Sequence, residues 1–414
     1  MTASSEPLEE SDVPTATRHG TAITFGQGVA IIFGANIGAG VLSLPYGARN
    51  GGFPALLVAL AIAGVLTTAS MLYVAEVALR TKEPLQLSGL AQKYLGNTGS
   101  WLVFAGVAIN GLGALIAYSS GSGSILADIF GIPATLGSLL FFIPGVVVVW
   151  FGLRATGRSE QVITIAMLGL ILLLCGWTFI GPGIHAEYLN YVHPYFIIPI
   201  VNLAVFSFIA QYTVPELARG LANHNPRGLP RAIVVGMCAT GFLLALVPLA
   251  ALGMMGPANI TKVVTIAWGQ ELGAAGYYVA NIFAVLAMMT SFWAIALTLM
   301  TNVFDRFRWP AYGRLEYRLA AIALVAIPPF IIGVMNWAGF VSALGYAGGF
   351  AGAIMSVVPV MMLHQARKSG DREPEWKAGW ISHPVVQALL VLVFCLAFIY
   401  SLLTAFGLVP DGWA

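Results

Sequence analysis

Eleven apolar runs of membrane-crossing length recur along the chain, and they constrain its fold more than any other feature. Numbered spans 1 to 11, they cover residues 23–46, 53–79, 101–130, 134–151, 162–180, 195–217, 232–255, 274–304, 319–334, 340–363 and 385–406. A helix of roughly 20 residues crosses a bilayer, where the backbone must satisfy its own hydrogen bonds. Only 9% of the residues are charged, whereas soluble proteins have about 25%. The sequence predicts an all-α polytopic membrane protein.

The loop charges orient these spans. If the N-terminus is cytoplasmic, every Lys and Arg except Arg49 and Lys262 lies on the cytoplasmic side. That set is Arg18, Arg80, Lys82, Lys93, Arg154, Arg158, Arg219, Arg227, Arg231, Arg306, Arg308, Arg314, Arg318, Arg367, Lys368, Arg372 and Lys377. Because cytoplasmic loops carry an excess of basic residues, the asymmetry supports both the count and the orientation. We expect a multi-pass protein of the cell (plasma or inner) membrane with its C-terminus outside.

The first twenty residues differ from the rest of the chain. Residues 1–20 are polar and acidic, which predicts a disordered cytoplasmic tail and no cleavable signal peptide before span 1. The three cysteines, Cys175, Cys238 and Cys395, lie inside apolar runs without paired spacing. We interpret them as small buried hydrophobic residues rather than as a disulfide or a metal site.

A glycine-rich stretch interrupts span 1 at its middle. Between Gly34 and Gly40 the chain reads GANIGAG, and glycine destabilises a helix. Non-helical backbone at membrane depth is tolerated only where its N–H and C=O groups face protein, water or a ligand. The stretch therefore predicts a discontinuous helix and a binding site.

The odd number of spans predicts an internal repeat. Spans 1–5 and 6–10 would enter the membrane from opposite sides, as in transporters built from inverted repeats with broken first helices. Span 6 should then be broken as well, and the run FSFIAQYTVPE, at 206–216, loses its apolar character halfway and contains a proline. The predicted units are residues 21–180 (spans 1–5) and 195–366 (spans 6–10), with span 11 at 382–408.

Three motifs resemble a known family. GANIGAGVLSLPYGARNGGFP is similar to the first helix of the amino acid/auxin permeases, particularly their bacterial aromatic and hydroxy amino acid permease relatives. TSFWAIALTLMTNVFD (Thr290 to Asp305) resembles their eighth helix, and VPELARG (Val214 to Gly220) resembles the segment after their sixth-helix break. The resemblance implies the LeuT-like five-plus-five inverted repeat of the amino acid–polyamine–organocation superfamily. Span 11 would be an addition to it, and helices 1 and 6 would be discontinuous.

The break in span 1 suits an amino acid zwitterion. Its outer half-helix begins near Ala39, and the free N–H groups of a helix N-terminus attract an anion such as a carboxylate. The carbonyls that end the inner half of span 1 and the first half of span 6 suit an ammonium group. The candidate substrate-binding residues here are Asn36, Gly38, Ala39 and Gly40. Because no charged residue is expected at the midplane, we expect a substrate with a neutral side chain.

The substrate side chain would lie among spans 3, 6, 8 and 10. Candidate lining residues are Asn110, Tyr118, Ser207, Phe208 and Phe292. For the aromatic residues ordinary helix packing is the commoner role, since the chain has 23 Phe. Asn110 and Tyr118 equally suit hydrogen bonds between helices.

The coupling ion is open between Na+ and H+. In sodium-coupled members of the implied fold a cation lies between spans 1 and 8, which transfers here to Gly34, Ile37, Ala287, Thr290 and Ser291. Oxygen ligands of this kind suit a hard cation. Proton-driven permeases that resemble this chain share the Thr-Ser pair. The lysine that some proton-coupled relatives place in the fifth span is absent from span 5.

Three acidic residues within the spans are candidates for a proton or gating role, because intramembrane acids are commonly functional. Glu76 and Asp128 lie near span ends, where a structural role is favoured. For Glu216, which has Arg219 at helical spacing, the structural and functional roles are balanced. None of the six histidines lies at a span centre, so we expect no histidine relay.

The sequence thus predicts a secondary active transporter of neutral L-amino acids, including aromatic or other hydrophobic ones, that works by alternating access. It contains no HExxH pair, nucleophile elbow or phosphate loop, so we expect no enzyme, cofactor or nucleic-acid partner. Nothing resembles a channel selectivity filter. An amino acid exchanger or exporter and an amino acid sensor on the same fold are the alternatives, and a divalent-metal carrier lacks the expected ligands. The oligomeric state is not predicted.

Overall fold

In the computed structural model, helices are the only regular secondary structure among the residues that the structure describes. These are residues 23–151, 157–222, 227–307, 309, 314–410 and 412–413. The α-helices within them are α1 Phe25–Asn36, α2 Ala39–Ala48, α3 Phe53–Leu79, α4 Leu87–Phe130, α5 Ala134–Phe151, α6 Gly157–Ile180, α7 Ile197–Phe206, α8 Val214–Ala222, α9 Gly228–Met255, α10 Val264–Glu271, α11 Gly273–Phe307, α12 Leu315–Val334, α13 Phe340–Tyr346, α14 Gly352–Ser369 and α15 Pro384–Ala405. The predicted tail, residues 1–20, lies outside the described residues.

The helices have the length and composition that a membrane requires. Among the described residues, nine spans are long and apolar enough to cross a bilayer, and the bent pair α1–α2 brings the number to ten. The apolar part of α6, Ile165–Ile180, is shorter than a full span. The chain is therefore a multi-pass helical protein, and the count of eleven stays a prediction.

Both predicted discontinuities are present. The helices α1 and α2 meet at an angle of 53° across residues 37–38. Span 6 is divided into α7, a short 3-10 turn at Gln211–Thr213, and α8. Span 10 has an irregularity that the sequence analysis did not predict, a π-helical turn at Ala347–Ala351 between α13 and α14. Departures from regular α-helical geometry thus lie within three of the membrane-crossing segments.

The two halves of the chain interlock, because the broken helices of each half pack on a helix of the other half. The bent pair α1–α2 lies on α9, and the divided pair α7–α8 lies on α3. The helix α4 runs through the centre and contacts α5, α11, α12 and α14. This reciprocal packing is what the predicted inverted repeat requires, and the repeat itself stays a prediction. The arrangement brings the two breaks together at the centre.

Candidate functional site

The outer half of span 1 begins with free backbone donors. Gly38 is the N-cap of α2 and makes no side-chain cap hydrogen bond. The last helical bond of α1 runs from Ile37 N to Phe33 O, 3.0 Å. Since the first four N–H groups of a helix have no partner inside it, α2 directs donors into the break. This is the local geometry that the glycine-rich stretch predicted.

Gly38 lies against two hydroxyl groups from other helices. A methyl group at this position would be 3.1 Å from Tyr118 Oη of α4 and 3.6 Å from Ser291 Oγ of α11. The hydroxyls of Tyr118 and Ser291 are hydrogen-bonded to each other. Three of the predicted site residues therefore meet at the break in span 1.

Gly40 lies against the break in span 6. A Cβ on Gly40 would overlap Ser207 Oγ, and Ser207 Cα would be 3.4 Å away. Ser207 Oγ is buried and has no hydrogen-bond partner in the part of the chain that the structure describes. The two breaks thus face each other at van der Waals distance, with an unpaired hydroxyl between them.

The break in span 6 forms without glycine. After α7 the chain continues through tighter i to i−3 bonds, from Ser207 N to Ala204 O (3.0 Å) and from Phe208 N to Val205 O (3.0 Å). Thr213 N then donates to Ala210 O, 3.0 Å. The loss of apolar character in the sequence is therefore the correct signal for this break, although no residue there requires a left-handed backbone.

Two residues of this break were not among the predicted site residues. Gln211 is fully buried; its Nε2 donates to Ser356 Oγ of α14 (3.3 Å), and its Oε1 has no partner among the described residues. The Tyr212 phenol interacts electrostatically with that of Tyr118. The signal that could have found both is a polar amide and a phenol at the centre of an apolar span.

Asn36 is directed toward α9 rather than toward Tyr118. Its Nδ2 donates to Thr240 Oγ1 (3.4 Å) and lies 3.3 Å from Met237 Sδ. Its Oδ1 is buried and unpaired within the described part of the chain. The side chain therefore holds the end of α1 against α9 and keeps one acceptor available.

Three predicted lining residues lie elsewhere. The Phe208 ring packs against Gly64 of α3, where an added Cβ would be 3.1 Å from it, and faces Gly241 of α9. The Phe292 ring makes edge contacts with Phe141 and Phe142 of α5, with centroids 5.6 and 6.3 Å apart. Both rings therefore contribute to ordinary packing between helices, the commoner role of an aromatic residue in this chain.

Asn110 is a third case. It lies on α4 two turns before Tyr118, which is about 12 Å along the helix axis. Its side chain is buried, and its Oδ1 has no partner among the described residues. The structure does not bring Asn110 together with Gly38 and Ser291.

The candidate cation residues are partly assembled. Thr290 Oγ1 donates to Ala287 O (3.0 Å), one turn earlier in α11, and faces Met167 Sδ of α6 at 4.0 Å. The end of α1, with Gly34 and Ile37, comes to α11 through the contact of Gly38 with Ser291. Ser291 Oγ therefore lies against the break, and Ala287 O and Thr290 Oγ1 lie on the adjoining turn of the same helix.

The acidic residues have different surroundings. Glu76 is fully buried and accepts hydrogen bonds from Arg80, Arg367 and the Ala378 N–H at 2.8–3.0 Å. Asp128 accepts a hydrogen bond from Tyr277.

Glu216 lies on the exposed side of α8. Its helical neighbour Arg219 donates to Pro84 O, 3.3 Å. No group of three or more His, Cys, Asp or Glu within the described ranges could hold a metal ion.

Comparisons with known proteins agree with this architecture. The model of the tryptophan/tyrosine permease family matches residues 22–402. Tyrosine-specific transport system 1 of Haemophilus influenzae is 26% identical over 89% of this chain and 95% of its own length. Tryptophan-specific transport protein of Shigella flexneri is 26% identical over 96% and 99%, and glutamine transporter 2 of Aliivibrio fischeri is 22% identical over 84% and 90%.

A solved structure shares the fold. The manganese transporter of Eremococcus coleocola, in complex with an aromatic bis-isothiourea substituted compound, superposes with a TM-score of 0.60. The likeness covers 97% of this chain and 93% of that protein, at 16% sequence identity.

Proposed function

Because the chain belongs to the tryptophan/tyrosine permease family, we propose that it is a secondary active transporter of neutral L-amino acids with aromatic side chains. That family lies in the amino acid–polyamine–organocation superfamily, as expected. The more specific prediction, the amino acid/auxin permease family, is not the exact family, which is that of the tryptophan/tyrosine permeases. Its glycine-rich motif lies in a broken helix that other transporters of this fold share, so it identifies the superfamily better than the family.

The observation that supports this proposal most is the contact between the two breaks. Gly40 lies directly against Ser207, so the free N–H groups of α2 and an unpaired buried hydroxyl converge. Oriented N–H groups at a helix N-terminus bind a carboxylate, most strongly where water is excluded. We assign the substrate carboxylate to the free N–H groups at the start of α2, beside this contact, and its ammonium group to the carbonyls at the end of α1.

Tyr118 and Tyr212 supply the aromatic preference in this proposal. The phenol of Tyr118, on α4, lies beside Gly38, and the phenol of Tyr212, in the break of span 6, interacts electrostatically with it. Aromatic rings bind other aromatic rings in edge or offset contacts, which stabilise by about 0.5–1.5 kcal/mol beyond burial alone. A tryptophan or tyrosine side chain would therefore be favoured over a small aliphatic one.

The proposed cycle is alternating access, in which the substrate site stays fixed and helices rock around it. We further propose that the N-terminus is cytoplasmic and the C-terminus external in the cell membrane, as the loop charges favour. The coupling ion is either Na+ beside Ala287 and Thr290 or a proton, with Glu216 as the candidate proton-binding or gating residue.

Uptake into proteoliposomes tests the substrate class. With an inward gradient of either ion, labelled tryptophan and tyrosine should accumulate, whereas lysine and glutamate should not. Ligand binding to the folded protein should also raise its melting temperature for the same substrates. If no amino acid is accumulated or stabilises the protein under any gradient, the proposal fails.

A pair of matched variants tests the ion. Thr290→Ala should abolish any stabilisation by sodium. Thr298→Ala should preserve it, because Thr298 also bonds to its own helix (Ala294 O, 2.8 Å) but lies two turns away. A protein that is indifferent to sodium and steeply dependent on pH is proton-coupled.

A further inference from the structure

A groove far from the two breaks runs between α14 and α15. It encloses about 610 Å³ and is lined by Val360, His364, Pro384, Gln387, Ala388, Val391, Leu392 and Cys395. Neighbouring side chains such as Leu389 and Leu392 are half-exposed, so the groove opens on the side that faces lipid. Its walls are apolar except at the end formed by His364 and Gln387.

The length of the groove matches one leaflet of a bilayer. From Pro384 to Cys395 the helix α15 advances about 16 Å at 1.5 Å per residue. The hydrocarbon core is about 30 Å thick, so each leaflet contributes roughly half of that. The groove therefore fits an extended acyl chain that enters from the end where α14 and α15 are joined.

The polar end of the groove is fixed by a hydrogen-bond chain. Gln387 Nε2 donates to Ser382 O (2.9 Å), so its Oε1 accepts from His364 Nε2 (2.7 Å). An amide oxygen can only accept, which makes Nε2 the protonated nitrogen of His364. The other nitrogen, Nδ1, is then unprotonated and can only accept a hydrogen bond.

Basic and aromatic residues lie beyond the polar end of the groove, on the side of the membrane surface. Lys368 follows His364 by one helical turn, is exposed, and forms no ion pair with any described residue. By contrast, Arg367 is bound to Glu76, and Lys377 to Glu373. Trp380, 81% exposed in the connecting segment, is typical of a side chain at the level of lipid headgroups.

We propose that this groove binds an anionic phospholipid, with one acyl chain between α14 and α15 and the phosphate beside Lys368. Basic pockets between transmembrane helices bind acidic headgroups in this way. The pairing of the neighbouring charges leaves Lys368 as the cation that complements the headgroup. A zwitterionic lipid would have the same chain contact and a weaker headgroup contact.

Melting temperatures in mixed micelles test the proposal. Phosphatidylglycerol should stabilise the protein at a concentration about fivefold lower than phosphatidylcholine with the same chains, since one lysine near an anionic surface supplies about that factor. Lys368→Ala should remove this difference. Lys377→Ala, an equal change in net charge in the same segment, should keep it.

A second pair of variants tests the chain site. Ala388→Trp places a large ring in the groove and should abolish the effect of both lipids. Val385→Trp, on an exposed turn of α15 that does not line the groove, should leave it intact. Native mass spectrometry should detect bound phosphatidylglycerol in the parent and in Val385→Trp only.

Equal stabilisation by both lipids in the parent would overturn the proposal. So would an Ala388→Trp variant that keeps its bound lipid. If Ala388→Trp instead converts a dimer to a monomer, the groove is an interface between two copies and the lipid site is wrong.

Discussion

Gly40 illustrates how a single missing Cβ permits the site to form. The contact with Ser207 leaves no room for a side chain. We expect Gly40→Ala to lower the free energy of unfolding by about 1–3 kcal/mol, the usual cost of overpacking, and to weaken tryptophan binding. Thermal melting with and without tryptophan measures both effects.

The matched rescue is Ser207→Gly on the Gly40→Ala background, because it removes the overlapping side chain. Recovery of the melting temperature would confirm that the clearance between the two breaks is limiting. A Gly40→Ala variant as stable and as active as the parent would contradict the packing described for this pair.

Tyr118 is the second residue with a direct consequence. Tyr118→Phe removes the hydroxyl that bonds to Ser291 and lies beside Gly38. Leaving a buried hydroxyl unpaired costs about 1–3 kcal/mol. We expect a loss of at least about fivefold in tryptophan affinity, measurable by isothermal titration.

Tyr73→Phe is the control for that change. It deletes an equivalent hydroxyl, which donates to Ile381 O (2.7 Å) far from the breaks. It should lower stability and leave tryptophan affinity unchanged. If both variants bind tryptophan like the parent, Tyr118 does not line the site.

Sequence reasoning was effective where a residue's own chemistry decides the outcome. Gly38 and Gly40 were predictable because glycine weakens a helix whatever surrounds it. The placement of Phe208 was not, because which face of a short turned segment points inward depends on Gly64 and Gly241, far along the chain.

At the scale of helices and loops, a buried carboxylate fastens three segments together. Glu76 of α3 bonds to Arg367 of α14 and to the backbone of Ala378, before α15. Removing one partner of a buried ion pair costs about 3–5 kcal/mol, because the remaining charge is left uncompensated. We expect Glu76→Gln to lower the unfolding free energy by that amount in thermal or denaturant melts.

The comparison for Glu76→Gln is Glu373→Gln. The Glu373 side chain is 77% exposed and pairs with Lys377, and such pairs contribute about 0–1 kcal/mol. A similar melting temperature for Glu76→Gln and Glu373→Gln would contradict a structural role for the buried carboxylate.

The loop that follows α14 contains a carboxylate, Asp371, whose contacts should depend on pH. Asp371 accepts hydrogen bonds from Lys93 Nζ (2.7 Å) and the Lys82 N–H (3.0 Å), which hold the pKa of its carboxyl below the ordinary value of 3.8. Because the folded state lowers this pKa, the contact stabilises the protein above about pH 4 and is lost as the pH falls through the folded value.

Asp371→Asn should therefore lower the melting temperature at pH 7. The difference in melting temperature between this variant and the parent should become smaller below pH 4. Melting curves from pH 7 to pH 3 measure this difference. A gap that is constant over the whole range would show that the charge of Asp371 makes no contribution.

The π-helical turn at Ala347–Ala351 is an element that could not be predicted from local sequence. Added Cβ atoms at Gly348 and Gly349 would overlap Asn202 O of α7 and Ser401 Oγ of α15, respectively. The glycines are visible in the sequence, but the helices they must approach are not. Asn202 also donates to Gly345 O (2.7 Å), which fixes the turn by a tertiary contact.

For the whole molecule, the predicted orientation in the membrane rests on the loop charges alone and is open to test. In a variant without its own cysteines, Lys262→Cys should react with an impermeant maleimide in intact cells. Lys377→Cys should react only after permeabilisation. The reverse pattern would invert the predicted topology, and labelling of both in intact cells would contradict the span count.

The fold class was predictable because lipid leaves an apolar chain few alternatives. The packing of α1–α2 on α9 and of α7–α8 on α3 was not predicted, because no local pattern in the sequence specifies which helices meet. The family was reached only through the comparisons, since GANIGAG is a property of the fold.

The two breaks differ in how their backbone is hydrogen-bonded. We expect the less strongly bonded break to act as the hinge of the transport cycle. The break in span 6 is braced by short-range backbone bonds at Ser207 and Phe208, whereas the break in span 1 relies on glycine and on contacts with other helices. Torsion during a conformational change should concentrate in the less braced of the two. We therefore expect the inner half of span 1 to rotate about its break while span 6 moves as a rigid body. The substrate site would then open to the two sides of the membrane by different motions.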